Sequence, residues 1–140
     1  MNKRPPLAGI IAKIETQKTK AKQVEFLRKY SSKELKIVLG YGMDPGVQWL
    51  LPESDPPYKP LEESTDQEGR FYSEIHKLEY FIATPEGLNV KQLRREQLFI
   101  QILESIDPRD AQLLLRMKNK KLKVKMDAVK EAFPNLAANW

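Results

Sequence analysis

Six cations crowd into ten residues near the end of this chain: Arg116, Lys118, Lys120, Lys121, Lys123 and Lys125. Charge at that density suits phosphate binding, because lysine and arginine displace the counterions around a nucleic-acid backbone. The run leads straight into a short expected helix, about Met126 to Phe133, that stops at Phe133-Pro134. A helix N-terminus carries free amides and partial positive charge, so the loop backbone and the helix end are expected to face a phosphate together. Lys130 on that helix, and Lys18, Lys20 and Lys22 near the start, complete the candidate DNA contacts.

Other chemistry finds little support. The single histidine, His76, sits between Ile75 and Lys77 with no further ligand at metal spacing. A Ser-His-Asp set is unsupported for the same reason. Glu62 and Glu63 lie in a proline-rich stretch and read as a solvated acidic tract rather than a catalytic pair. No glycine-rich phosphate loop occurs. Lys125-Met126-Asp127-Ala128 is similar to the Lys-x-Asp-Gly motif of nucleotidyltransferases, but alanine replaces the glycine. The fifteen residues after Lys125 are also too few for an ATP-binding domain. With no cysteine, disulfides and thiolate metal sites are excluded, which fits a reducing cytoplasm. Apolar runs of only a few residues cannot cross a membrane. The expectation is a non-enzymatic protein with no metal and no cofactor.

The elements that position these cations are helical. Leu7, Ile10, Ile11 and Ile14 form one stripe behind Pro5-Pro6, which can open a helix. Thr19 to Tyr30 reads as a second helix, with Val24, Leu27 and Tyr30 inward. Ser31-Ser32-Lys33-Glu34 matches a capping box. The third helix it starts turns Leu35, Val38 and Leu39 inward and ends at Gly40 or Gly42. Prolines 45, 52, 56, 57 and 60 forbid a long helix over about 43–69. There Glu62, Glu63, Asp66 and Glu68 make an acidic stretch, with Val47, Trp49, Leu50 and Leu51 as apolar anchors. A fourth helix is expected over about 70–82. Pro85-Glu86-Gly87 reads as a turn. A fifth helix, about 90–106, has Leu93, Phe99, Ile100, Ile102, Leu103 and Ile106 on its apolar face. Asp107-Pro108 then caps a sixth helix that turns Ala111, Leu114 and Leu115 inward. With no strand pair in view, the fold class is all-α: one compact domain over 1–140, of about six or seven helices.

Charge is segregated along the chain. Residues 1–60 carry a net +5, residues 61–115 a net −5 and residues 116–140 a net +5. If the two basic ends meet in space, they form a single positive face that attracts polyanions.

Three segments, in order, resemble the N-terminal DNA-binding domain of ATP-dependent DNA ligases, especially those of T-even-type phages. They are the helix pair Thr16–Leu27 and Leu35–Tyr41, the turn Pro45-Gly-Val-Gln-Trp49 followed by Pro52, and the stretch Leu93–Leu136 ending Phe133-Pro134-Asn135-Leu136. Where that family has a small Gly-x-Ser-like stretch, this chain has Lys123-Val124-Lys125. The resemblance implies a stand-alone domain without the catalytic domain. It implies binding to duplex DNA through backbone and minor groove, without base readout. It further implies a phage-encoded protein of the host cytoplasm, acting in replication, repair or modulation of host DNA transactions. The alternative is a protein-interaction module that docks or inhibits a replication or host protein, with Trp49-Leu50-Leu51 or the acidic loop as its contact surface.

Overall fold

Ala8 stands at the start of a helix whose first turn is fastened to the far end of the chain. The computed structural model describes residues 5–62 and 69–140. Helix α1 (Leu7–Glu15) opens behind Pro6 and buries the expected stripe, Leu7, Ile10, Ile11 and Ile14. Its Ala8 amide donates to the buried Asp110 carboxylate at 2.9 Å, a negative charge placed at a helix N-terminus. Helix α2 (Lys20–Lys29) is capped by Thr19, which accepts from the Lys22 amide, and buries Gln23, Val24 and Leu27. Tyr30 is only half-buried.

Helix α3 (Lys33–Met43) is capped by Ser32, which accepts from the Leu35 amide at 3.0 Å. The cap therefore falls one residue later than the Ser31 box, and Glu34 lies in the first turn. The helix also runs through both glycines. Gly42 is there for packing: a Cβ would stand 2.7 Å from Leu122 Cδ1 and 3.2 Å from Met117 Cγ.

The fourth expected helix changes gauge partway. Helix α4 (Arg70–Glu74) passes into a 3-10 segment over Ile75–Phe81. The reason is in the spacing: buried Ile75, Leu78 and Phe81 recur every third residue, the repeat of a 3-10 turn rather than of an α-helix. Pro85-Glu86-Gly87 is not a simple turn but the start of helix α5 (Pro85–Leu88). Helix α6 (Gln92–Ser105) buries Arg95, Phe99, Ile102 and Leu103, while Leu93 is 71% exposed. The expected apolar face is thus wrong at its first position, where the inward register belongs to Arg95. That guanidinium donates to the carbonyls of Gly87 at 2.7 Å, Val90 at 2.8 Å and Tyr80 at 3.2 Å, tying the end of the 3-10 segment to the α5–α6 connection. Helix α7 (Pro108–Lys118) has the expected Asp107 cap and first-turn proline, and helix α8 (Met126–Ala132) follows the basic loop.

Eight α-helices are present among the described residues, and strand pairing there is limited to one isolated bridge between Trp49 and Ile82. That bridge pins the irregular segment. Leu50 donates to the Phe81 carbonyl at 2.7 Å, and Ala83 donates to the Gln48 carbonyl at 2.8 Å. Half-buried Trp49 packs against the core and donates to the Tyr41 carbonyl at 2.9 Å, so it is an anchor. Of the acidic stretch, Glu63, Asp66 and Glu68 fall outside the described residues. No described helix is long and apolar enough to cross a membrane.

The chain ends do meet. Helix α1 packs on α2 and α7, α2 packs on α8, and α3 and α6 pack on α7, around one apolar core.

Candidate nucleic-acid interface

The basic loop takes its shape from the way α7 stops. Lys121 donates its amide to the Arg116 carbonyl at 2.8 Å, and Lys120 donates to the Met117 carbonyl at 3.1 Å. These are the paired bonds of a Schellman cap, which places the intervening residue in the left-handed region. Here that residue is Lys120, at φ 57°, rather than glycine.

The first three cations of the run bond within the protein, although Lys120 itself is exposed. Arg116 pairs with Glu15 at the end of α1. Lys118 has only 2% of its side chain exposed. Its ammonium donates to the carbonyls of Pro52 at 3.0 Å and Glu53 at 3.2 Å and to Asn119 Oδ1 at 2.8 Å, and it pairs with Asp55 at 3.3 Å. The hydrogen bond from Asn119, joined by Lys118, holds the Asp55 carboxyl below its usual range against an opposing push from burial. Lys120 reaches the C-terminus of α3, donating to the carbonyls of Asp44 at 2.7 Å and Tyr41 at 3.1 Å. Burial pushes its pKa down, with Asp44 opposing. Arg116, Lys118 and Lys120, expected as DNA contacts, thus have cationic groups that already bind the protein itself. Substituting Lys118 or Lys120 also removes internal hydrogen bonds.

The second half of the run behaves differently. From Lys121 to Lys125 the chain alternates, with lysines 121, 123 and 125 exposed, Leu122 half-buried and Val124 buried. The backbone is fixed from beneath. Lys123 donates its amide to Glu15 Oε2 at 2.5 Å, and Lys125 donates its amide to Gln23 Oε1 at 2.8 Å. Gln23 is itself held, donating to the Gln17 carbonyl at 3.1 Å. Loop amides that the sequence suggests for phosphate are thus already committed to Glu15 and Gln23. Helix α8 is also short, and its first turn carries Asp127, which answers the helix end locally. Side-chain ammonium groups are what remain for an anion.

Glu15 and Gln23 join this loop to the α1–α2 turn, where Lys18 is exposed. Lys20 pairs with Glu131 at 3.4 Å and Lys22 with Glu25 at 3.3 Å, both exposed pairs that are weak in water. Lys130 is exposed on α8. Sequence reasoning missed Glu15 and Gln23, which carry no periodic signal, and it also missed Lys33 and Lys36. Those two are exposed one helical turn apart on α3, and the Lys36 ammonium lies 5.2 Å from the centroid of the Phe133 ring. Their spacing alone could have found them. His76 is exposed, and no metal-binding group of side chains occurs among the described residues.

Fold and loop together define a small all-helical protein with a rigidly backed lysine loop. The chain belongs to a family of unknown function, DUF6433, which it matches over residues 10–124. The match runs from within α1 through α7 and the loop as far as Val124. No curated protein and no solved structure matches the chain.

Proposed function

We propose that the protein binds duplex DNA through its backbone, without reading sequence and without catalysis. One observation carries this reading: Lys121, Lys123 and Lys125 project from a loop whose backbone is tied to Glu15 and Gln23. These lysines have no ion-pair partner among the described residues. Cations held on a fixed frame neutralise phosphates in proportion to their number. Lys18 and Lys130 extend the surface, and Lys20 and Lys22 join it where the anion outcompetes their exposed carboxylate partners. The resemblance to phage ligase DNA-binding domains supports the same ligand and a setting in replication, repair or modulation of host DNA. Here lysine side chains stand in for that family's backbone approach.

The test is a salt titration of duplex binding for the parent and for Lys121→Ala/Lys123→Ala/Lys125→Ala. Affinity for unrelated sequences should fall together, and the slope of log affinity against log salt should become shallower by about 0.9 for each phosphate that is no longer neutralised. An unchanged slope would remove the reading. Incubation with ATP should leave Lys125 unmodified, and an AMP adduct there would show an activity this reading denies. A protein-docking role is the second reading, favoured by Leu88 at 64% and Leu93 at 71% exposed around the α5–α6 connection.

A further inference from the structure

One face of α3 is open to solvent. Lys33, Lys36, Ile37, Gly40 and Tyr41 follow helical spacing, and Leu136 from the C-terminal tail closes one side. Together they line a shallow groove of about 440 Å³. The stripe spans eight residue steps, roughly 12 Å of helix. Its floor is apolar: Ile37 is half-buried, and Gly40, lacking a Cβ, leaves Leu136 Cδ1 3.5 Å from where one would stand.

The two ends of the groove differ in charge. At one end stand Lys33 and Lys36, with Lys36 over Phe133, the residue that ends α8. At the other, burial and then the charges of Glu79 and Glu86 push the Tyr41 phenol up. The exposed ammonium groups of Lys33 and Lys36 favour an anionic group at their end, with a flat apolar or aromatic body laid toward Gly40. A nucleotide has that build, and stacking faces flanked by cations are how unpaired nucleic acid is held. The Tyr41 end is the one that meets the basic loop: the Lys120 ammonium bonds the Tyr41 carbonyl at 3.1 Å, and Leu122 lies against Gly42. At the lysine end, helix α8 leads from Phe133 back to Lys125, a distance of about 12 Å, with exposed Lys130 on the way.

We propose that the α3 groove takes unpaired nucleotides, so that the protein's ligand is a junction where duplex DNA passes into single strand. The inference rests on the duplex reading above: the loop holds the paired part, and the groove takes the strand that leaves it.

Fluorescence anisotropy tests this with a blunt duplex and the same duplex carrying a short single-stranded overhang, against the parent and Lys33→Ala/Lys36→Ala. Both lysines are exposed, and circular dichroism checks that the variant keeps its helices. For the parent, the overhang should tighten binding by at least about fivefold, the lower end of what one stacked base contributes. The double variant should lose that gain and keep its blunt-duplex affinity within about twofold, since the loop is untouched. A 2-aminopurine in the overhang should change its emission on binding the parent and not the variant. Equal affinity of the parent for both DNAs, or a variant that loses both alike, overturns the inference and leaves the loop reading standing. Failure of the parent to bind the blunt duplex overturns the loop reading, and the inference with it.

Discussion

Arg116, Lys118 and Lys120 direct their charges into the molecule, whereas Lys121, Lys123 and Lys125, the next half of the same run, direct theirs to solvent. Composition does not separate the two halves. What separates them is the end of α7. Arg116 and Lys118 sit on a helix packed against α1, α3 and α6, Lys120 is the left-handed residue of the Schellman cap itself, and each finds a helix end, a carboxylate or a loop carbonyl. After the cap, Leu122 and Val124 turn toward the core and the lysines that alternate with them face solvent. Counting charges therefore overstates a binding surface wherever a helix terminus falls inside the run.

The sharpest way to break this comparison is Lys118→Ala. Removing a buried ammonium strands the carbonyls of Pro52 and Glu53 and frees the 52–55 segment, so urea unfolding should show a loss of about 2–3 kcal/mol. Lys121→Ala should stay within about 0.5 kcal/mol of the parent in the same assay. If the two variants unfold alike, the division between the halves is wrong.

Next in size is the effect on DNA. Lys121→Ala/Lys123→Ala/Lys125→Ala should lose affinity by about tenfold or more at low salt, with an unchanged urea midpoint. Arg116→Gln should shift the midpoint more than the affinity, because its charge already serves Glu15.

A smaller effect sharpens the boundary itself. Lys120→Ala keeps a side chain in the left-handed region and loses both bonds to α3, a cost of about 1 kcal/mol. Lys120→Gly loses the same bonds but relieves the backbone, which costs a non-glycine residue about 1–2 kcal/mol there. The glycine variant should therefore be the more stable of the two by thermal melting.

The smallest effect is in pH. Asp55 has a folded-state pKa below its ordinary value, so its contribution to stability is present at neutral pH and lost as pH falls through that depressed value. Its side chain is 47% exposed, which keeps the contribution within about 0.5 kcal/mol. On acidification the parent should lose slightly more stability than Asp55→Asn. Equal acid slopes would mean that Asp55 contributes nothing to the tether.

The helices are legible in the sequence because their apolar stripes are regular: Leu7, Ile10, Ile11 and Ile14 need only a period. Even the 3-10 segment is written in the spacing of Ile75, Leu78 and Phe81, although the stretch reads at first as an α-helix. Arg95 is not legible, because a buried guanidinium is chosen by carbonyls that come from elsewhere in the chain. The loop is half legible. Its charge is plain, but Lys118 is buried only because residues 52–55 fold over α7, and no local pattern announces that.

Glu15 has a consequence for the order of assembly. The bonds that shape the loop reach across almost the whole chain: Glu15 lies 101 residues from Arg116 and 108 from Lys123, and Gln23 lies 102 from Lys125. Contacts so distant in sequence carry a large closure entropy and form after local helices do. During synthesis, the first two helices leave the ribosome with their carboxylate and amide waiting. The lysine loop acquires its geometry only when the last quarter of the chain docks on the first. A folding intermediate with α1 to α3 formed and α8 undocked would be helical by circular dichroism and yet lack the surface on which the loop lysines are arrayed.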